Sequence, residues 1–224
     1  MFKDLLSFWR GKDFLAQVLE DFKAMLDDSE SMFKSVCARL LDNKDQPGLR
    51  KKIYQIDKTV NDLQKDIRKR IVEHLTLRPS ADTTACLLLM SVVKDAERLG
   101  DYAKNLLQVT EYLEKPIDKA LFMQYFDGVD QDLVELFENT KRAFIETDLD
   151  MANLAWDYHK RISKGCDEIV KKVAQSDLTV NEAVCFALIA RYFKRVGSHL
   201  TNIATSVVLP LSDLDYFDEK RKVE

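Results

Sequence analysis

Residues Arg98, Gly100, Asp101 and Asn105 recur, in the same spacing, as Arg195, Gly197, Ser198 and Asn202, a shift from 98 to 195 of 97 residues. A second echo sets Asp57 and Asn61 against Asp157 and Arg161, a shift from 57 to 157 of 100 residues. Two echoes at nearly one offset mean that a unit of about a hundred residues is built twice, with a short insertion between the echoes. The copies differ where they carry acid. Glu97 and Asp101 of the first are replaced by Lys194 and Ser198 in the second, so any carboxylate chemistry is expected to be lopsided.

Each unit must fold with very few turn residues. The 224 residues include only 6 Gly and 4 Pro, while 46% are hydrophobic and 32% charged. That combination favours long helices over a many-stranded sheet and excludes a disordered chain. After Gly11, apolar residues from Phe14 to Leu40 recur at helical spacing, predicting a helix that ends near Asn43. Pro47 suits the first turn of a second helix, whose seam Ile53, Ile56, Val60, Leu63, Ile67, Ile71 is nearly heptad. Ser80 is a candidate N-cap for a third, running to about Glu114 before Pro116. The second copy predicts helices over about 117–146 and 150–174. A third begins at Thr179, which with Glu182 has capping-box spacing, and Pro210 ends it. The expected fold is all-α: two tandem antiparallel three-helix bundles, over 13–115 and 116–210, with an amphipathic segment at 1–12 and a charged tail at 211–224.

The net charge of −4 arises from 38 acidic and 34 basic residues closely intermixed, and no basic patch carries interleaved aromatics; no nucleic-acid partner is expected. Cys37, Cys86, Cys166 and Cys185 form no metal-type spacing and read as core residues in a reducing compartment. No run of about 18 apolar residues exists, so no spanning helix is expected and the chain is assigned to the cytoplasm. The face Phe2, Leu5, Leu6, Phe8, Trp9 allows contact with a partner or, at most peripherally, a membrane; docking on its own bundle, or disorder, is the simpler reading.

Glu97, Asp101 and Asn105 lie four residues apart and so form one line along a helix. Asp57 and Asn61 form a similar line on the preceding helix. Where two such faces meet, four or five oxygen groups converge, a set suited to Mg²⁺, Mn²⁺, Ca²⁺ or ferric iron. The same residues also suit ordinary exposed acids, with Lys94 and Lys104 at spacing three supplying weak ion pairs. Gly100 and Gly197 imply either close approach of a neighbouring helix or space for a ligand beside Asp101. Arg98 and Arg195 are candidates for an anion or for pairing with carboxylates on an adjacent helix. His74, His159 and His199 share no spacing, Glu-x-x-His is absent, and no phosphate loop or nucleophile–base pair occurs. No catalytic residue is assigned, and the chain is not expected to be an enzyme.

The run Ala190-Arg191-Tyr192-Phe193-Lys194-Arg195-Val196-Gly197-Ser198-His199-Leu200-Thr201-Asn202-Ile203-Ala204 resembles the A-R-Y-L-E-R-I-G-D-H-A-T-N-I-A signature of the PhoU family, and Glu97 to Asn105 resembles its other copy. The resemblance covers about residues 13–210. It implies a non-catalytic, often dimeric cytoplasmic regulator linking a phosphate transporter subunit to a sensor histidine kinase. Some members hold iron or zinc clusters through E/D-x-x-x-D motifs. Carried over, Glu97 and Asp101 match that motif, Asp57 matches the partner helix, and Asn61 replaces its second acid. In the second copy Asp157 remains, whereas Arg161, Lys194 and Ser198 stand for acids. The implied outcome is one weakened metal site at Asp57, Asn61, Glu97, Asp101 and Asn105, for iron, zinc, Mg or Mn, or no site at all. Its degenerate counterpart is Asp157, Lys194, Ser198 and Asn202. Two rivals stay open: a metal-storage or redox bundle, and a soluble accessory of a sodium–phosphate or low-affinity phosphate permease.

Overall fold

The structure is a computed structural model that describes residues 13–42, 47–78 and 82–215. Among the described residues there are seven α-helices and no strand: α1 (Asp13–Asp42), α2 (Leu49–Leu77), α3 (Thr83–Tyr112), α4 (Lys119–Phe126), α5 (Val129–Ile145), α6 (Leu149–Ala174) and α7 (Val180–Thr205). A 3₁₀ turn, Leu211–Asp213, follows. The segment 1–12, the Ser80 cap and the tail beyond 215 lie outside the described residues.

Helices α1, α2 and α3 form the first bundle. Their order is antiparallel: Phe14 of α1 stacks on His74 of α2 at 4.3 Å, and Asp21 of α1 pairs with Arg70. Further along, Gln64 of α2 donates to the Val93 carbonyl of α3 at 3.5 Å, while Arg50 meets Glu111. The seam predicted for α2 is the buried one, because Ile53, Val60, Ile67 and Ile71 are all fully enclosed. Each such side chain contributes about 1.5–3 kcal/mol relative to exposure.

The second bundle is α4 with α5, then α6 and α7. The expected single helix over 117–146 is instead broken in two. Asp127 (φ 44°) and Gly128 (φ 84°) both adopt left-handed backbone, which ends α4 and starts α5. An Asp-Gly pair is a turn signal for this reason: both residues tolerate positive φ far better than most. The short α4 thereby lays Phe122 and Phe126, stacked at 4.1 Å, edge-on to Phe186 of α7. At the start of α7 the predicted capping box is present, with Thr179 and Glu182 bonding each other's backbone N–H. The third helix of the first copy begins later than the sequence suggested, at Thr83, behind Asp82 in left-handed backbone at φ 57°. Cys86, Cys166 and Cys185 are buried and Cys37 is partly buried; burial pushes the Cys86 thiol up to about 11, so it stays protonated and inert.

The two bundles share one apolar core. Helices α1 and α5 run antiparallel across it, since Phe22 meets Phe144 at 4.8 Å and Phe33 meets Phe137 at 5.5 Å. Helices α3 and α7 are likewise antiparallel: Asp95 meets Asn202, and Tyr102 meets Tyr192 at 6.0 Å. Phe33 also touches Phe193 of α7 at 5.6 Å, tying the two layers together. Lys141 of α5 reaches Asp27 at 3.0 Å and Glu30 at 2.5 Å on α1, so the nearly buried Glu30 has a cation from the opposite bundle.

The paired glycines mark where helices within each bundle come close. A Cβ on Gly197 would stand 3.1 Å from Ile162 Cγ2, tighter than normal contact. On Gly100 the nearest atom would be Asp57 Oδ1 at 3.5 Å, an ordinary distance. Gly100→Ala is therefore expected to raise stability by up to about 1 kcal/mol through helix propensity. Gly197→Ala is expected to gain nothing or to lose about 1 kcal/mol to overpacking. Parallel thermal melts of the two variants check the opposite signs.

Candidate functional site

The acids of the first copy meet where α2 crosses α3. Asp57 lies beside Gly100 of α3 and is only 8% exposed. A buried carboxylate needs donors, and it finds them on both helices. Lys104 Nζ lies 2.9 Å from Asp57 Oδ2, and Asn61 Nδ2 donates to the same oxygen at 3.2 Å. The same ammonium lies 2.9 Å from Asp101 Oδ1, so one lysine spans the two carboxylates. Asp101 Oδ2 in turn accepts from Arg98 Nη1 at 3.3 Å. Among the described residues Arg98 thus pairs within its own helix, and its Nε lies 3.9 Å from Glu97 Oε2.

Electrostatics follow from this arrangement. Burial pushes the Glu97 carboxyl upward, and the charges of Asp101 and Asp57 push it further, while Arg98 and Lys104 pull it down. For Lys104, burial opposes the charged form, but hydrogen bonds and attraction from Asp101 and Asp57 outweigh it and hold the ammonium above the ordinary lysine range. Asn105 sits a turn further along α3, lining an open groove of about 290 Å³ with Tyr54, Arg98, Asp101, Tyr102 and Lys104.

Among the described residues no group of three His, Cys, Asp or Glu side chains is arranged to hold a metal ion. The space between Asp57 and Asp101 is bridged by the protein's own cation, and both Asp101 oxygens have cationic partners. The donor set does not fit a metal in this arrangement.

The second copy solves the same crossing differently. Beneath Gly197 lie Ile162 and Leu133, where Gly100 has Asp57 and Met32. The residue packed beneath Gly197 is therefore Ile162, and Asp157 is exposed. The sequence echo at 157 is displaced from the packed face. Lys194 pairs with Asp167 of α6 at 2.6 Å, and Ser198 Oγ bonds back to the Lys194 carbonyl at 3.0 Å. Arg161 pairs with Asp132 of α5 at 2.9 Å and lies over the Tyr158 ring at 4.4 Å. Arg195 is exposed. No carboxylate face forms from Asp157, Lys194, Ser198 and Asn202.

Asn202 belongs elsewhere, to a polar cluster between the bundles. The Asp95 carboxylate, 7% exposed, is 2.7 Å from His199 Nδ1 and accepts from Asn202 Nδ2 at 3.2 Å. Tyr102, at the position equivalent to His199 in the first copy, stacks against that ring at 5.6 Å. The Asp215 carboxyl is pushed upward by its own burial and by the charge of Asp95. Sequence spacing did not find Asp95, because at 100° per residue it faces away from the Glu97–Asp101 line. The available signal was an acid flanked by Val92, Val93, Ala96 and Leu99, on a part of α3 that must be buried.

These features define a class: an all-α protein of duplicated three-helix bundles, whose polar interior groups tie helix to helix. The chain belongs to the PhoU family, whose domain model matches it over residues 22–110 and 131–207. Among its relatives, the phosphate-specific transport system accessory protein PhoU homolog of Synechocystis sp. is 28% identical over 205 residues, spanning 86% of this chain and 87% of that one. PhoU homolog 1 of Thermotoga maritima is 22% identical over 200 residues, spanning 85% and 79%. The crystal structure of PhoU from Pseudomonas aeruginosa superposes with a TM-score of 0.75 at 21% identity, covering 87% of this chain and 95% of that one. The phosphate transport system regulatory protein PhoU from Streptococcus pneumoniae gives 0.71 at 16%, covering 88% and 95%. At those identities the two structures speak for the fold.

Two outcomes follow. Glu97 takes up its proton more readily in the folded chain than in the unfolded one, so stability falls as pH rises from the ordinary glutamate range through its raised folded value. Glu97→Gln should then raise Tm at pH 7 by about 1–3 °C, with the difference shrinking toward pH 4. Melts at the two pH values check it. His199→Ala leaves Asp95 with one donor and should cost about 1–3 kcal/mol, measured as a lower urea midpoint; an unchanged midpoint would show that the inter-bundle cluster contributes nothing.

Proposed function

We propose that this protein regulates phosphate transport and phosphate signalling by docking to other proteins, without catalysing a reaction. The observation that carries the reading is the match of the PhoU domain model to both repeats. Relatives named as accessory proteins of phosphate-specific transport systems support it, since they align with most of their own length. The partners in this reading are a phosphate transporter subunit and a sensor histidine kinase. Among the described residues no helix is long and apolar enough to cross a membrane, so contact with a membrane transporter runs through exposed helix faces. Those faces are densely charged, with pairs such as Lys65–Asp62 and Lys164–Glu168 in solvent. Surface charge of this kind governs encounter rate and makes it salt-dependent.

Deleting the gene should switch on a phosphate-starvation reporter in phosphate-rich medium, and restoring the chain should silence it. An affinity-tagged copy from phosphate-replete cells should bring down a transporter or kinase component, and less of it as salt is raised. A silent reporter after deletion together with no such component recovered at low salt would sink the reading.

A further inference from the structure

We infer that Lys104 is a built-in counter-cation that closes the Asp57/Asp101 face to metal ions, so that α2 and α3 of this PhoU protein are held together without one. The geometry is that of a bridging cation. Its Nζ stands at equal distances of 2.9 Å from a carboxylate on each helix. The bridge is largely shielded, with side-chain exposures of 20% for Lys104, 11% for Asp57 and 28% for Asp101. An ammonium has three donors and a full positive charge, which lets it satisfy both acids at once.

The oxygens already engaged offer an incoming ion little. Asp57 Oδ2 already accepts from Asn61 as well as Lys104, and Asp101 Oδ2 is paired with Arg98. Three carboxylates (Asp57, Glu97, Asp101) set against two cations (Arg98, Lys104) leave one net negative charge. Coordinating a hard divalent ion takes several anionic oxygens. Such an ion would have to displace Lys104, breaking two contacts and leaving a partly buried ammonium unpaired, which is costly.

The second copy also pairs cations with carboxylates between helices, but in more exposed positions. Lys194, standing where Glu97 stands in the first, pairs with Asp167 across α6 and α7. Arg161 pairs with Asp132 across α5 and α6. In both repeats, then, a lysine of the third helix pairs with an aspartate of the second, although the lysine sits at a different position in each.

Purified native chain, Lys104→Ala, Lys104→Met and Lys104→Arg would be compared by metal analysis after chelator-free purification. Thermal melts with EDTA, Mn²⁺, Zn²⁺ or Fe³⁺ would accompany it. The native chain should carry far less than one ion per chain, with a Tm that neither EDTA nor the ions move, and Lys104→Arg should behave alike. Lys104→Ala and Lys104→Met should melt lower by roughly 2–6 °C and regain that loss on adding one of the ions, with stoichiometric uptake. The inference fails if the native chain retains about one ion per chain or loses Tm in EDTA. It also fails if both neutral variants keep native circular dichroism yet take up no ion. Should neither neutral variant fold, the native and Lys104→Arg measurements alone decide.

Discussion

Everything else in the molecule depends on the continuity of one apolar core through two bundles. A three-helix bundle of this size has helices that are apolar on more than the stripe facing their own partners. In this chain the surplus faces of α1 and α3 are covered by those of α5 and α7. The aromatic contacts Phe22–Phe144 and Phe33–Phe137 show how direct that covering is. Aromatic pairs of this kind contribute about 0.5–1.5 kcal/mol beyond their area. The two repeats are thus not beads on a string; each supplies the other with the wall it lacks.

That dependence explains where the polar groups sit. A shared core leaves the ends and edges of the α3–α7 contact partly dry, and a carboxylate there must be matched by donors from across the seam. Asp95 with His199 and Asn202 meets that requirement on one edge, and Glu30 with Lys141 meets it on the α1–α5 edge. Breaking one partner of a buried pair costs more than the pair contributes. Such clusters are therefore costly to break from either side of the seam.

How much of this the sequence disclosed varies by element. The apolar seam of α2 and the capping box at Thr179 are local signals, and the structure has both. The break at Asp127 and Gly128 was equally local but was overridden by apolar periodicity that continues on either side of it. The convergence of Asp57, Glu97 and Asp101 could be anticipated from four-residue spacing. The spacing-three pair of Lys104 with Asp101 could be anticipated too, but its reach to Asp57 on the other helix could not, because a lysine runs along four rotatable bonds whose direction no spacing encodes. The mismatch at Asp157 has another cause. The repeats drift in relative register from helix to helix, so that Gly197 covers Ile162 where a fixed offset points to a residue on the exposed face.

That drift bears on how duplicated bundles diverge. The α2–α3 and α6–α7 crossings each carry a glycine, but only Gly197 is tightly packed, where a Cβ would stand 3.1 Å from Ile162 Cγ2. What lies beneath the glycine is free to differ, a carboxylate in one copy and an isoleucine in the other. A carboxylate in that place must import a cation or carry one. An imported ion makes helix packing depend on supply, whereas a tethered lysine makes it depend on nothing outside the chain until pH approaches the lysine range. On the inference drawn for Lys104, that lysine in the first copy and a plain apolar contact in the second make both crossings independent of solutes. On the proposed regulatory reading, a response to phosphate status would then arise at the protein's surfaces, through the partners it meets, and not through loss of an ion from its interior.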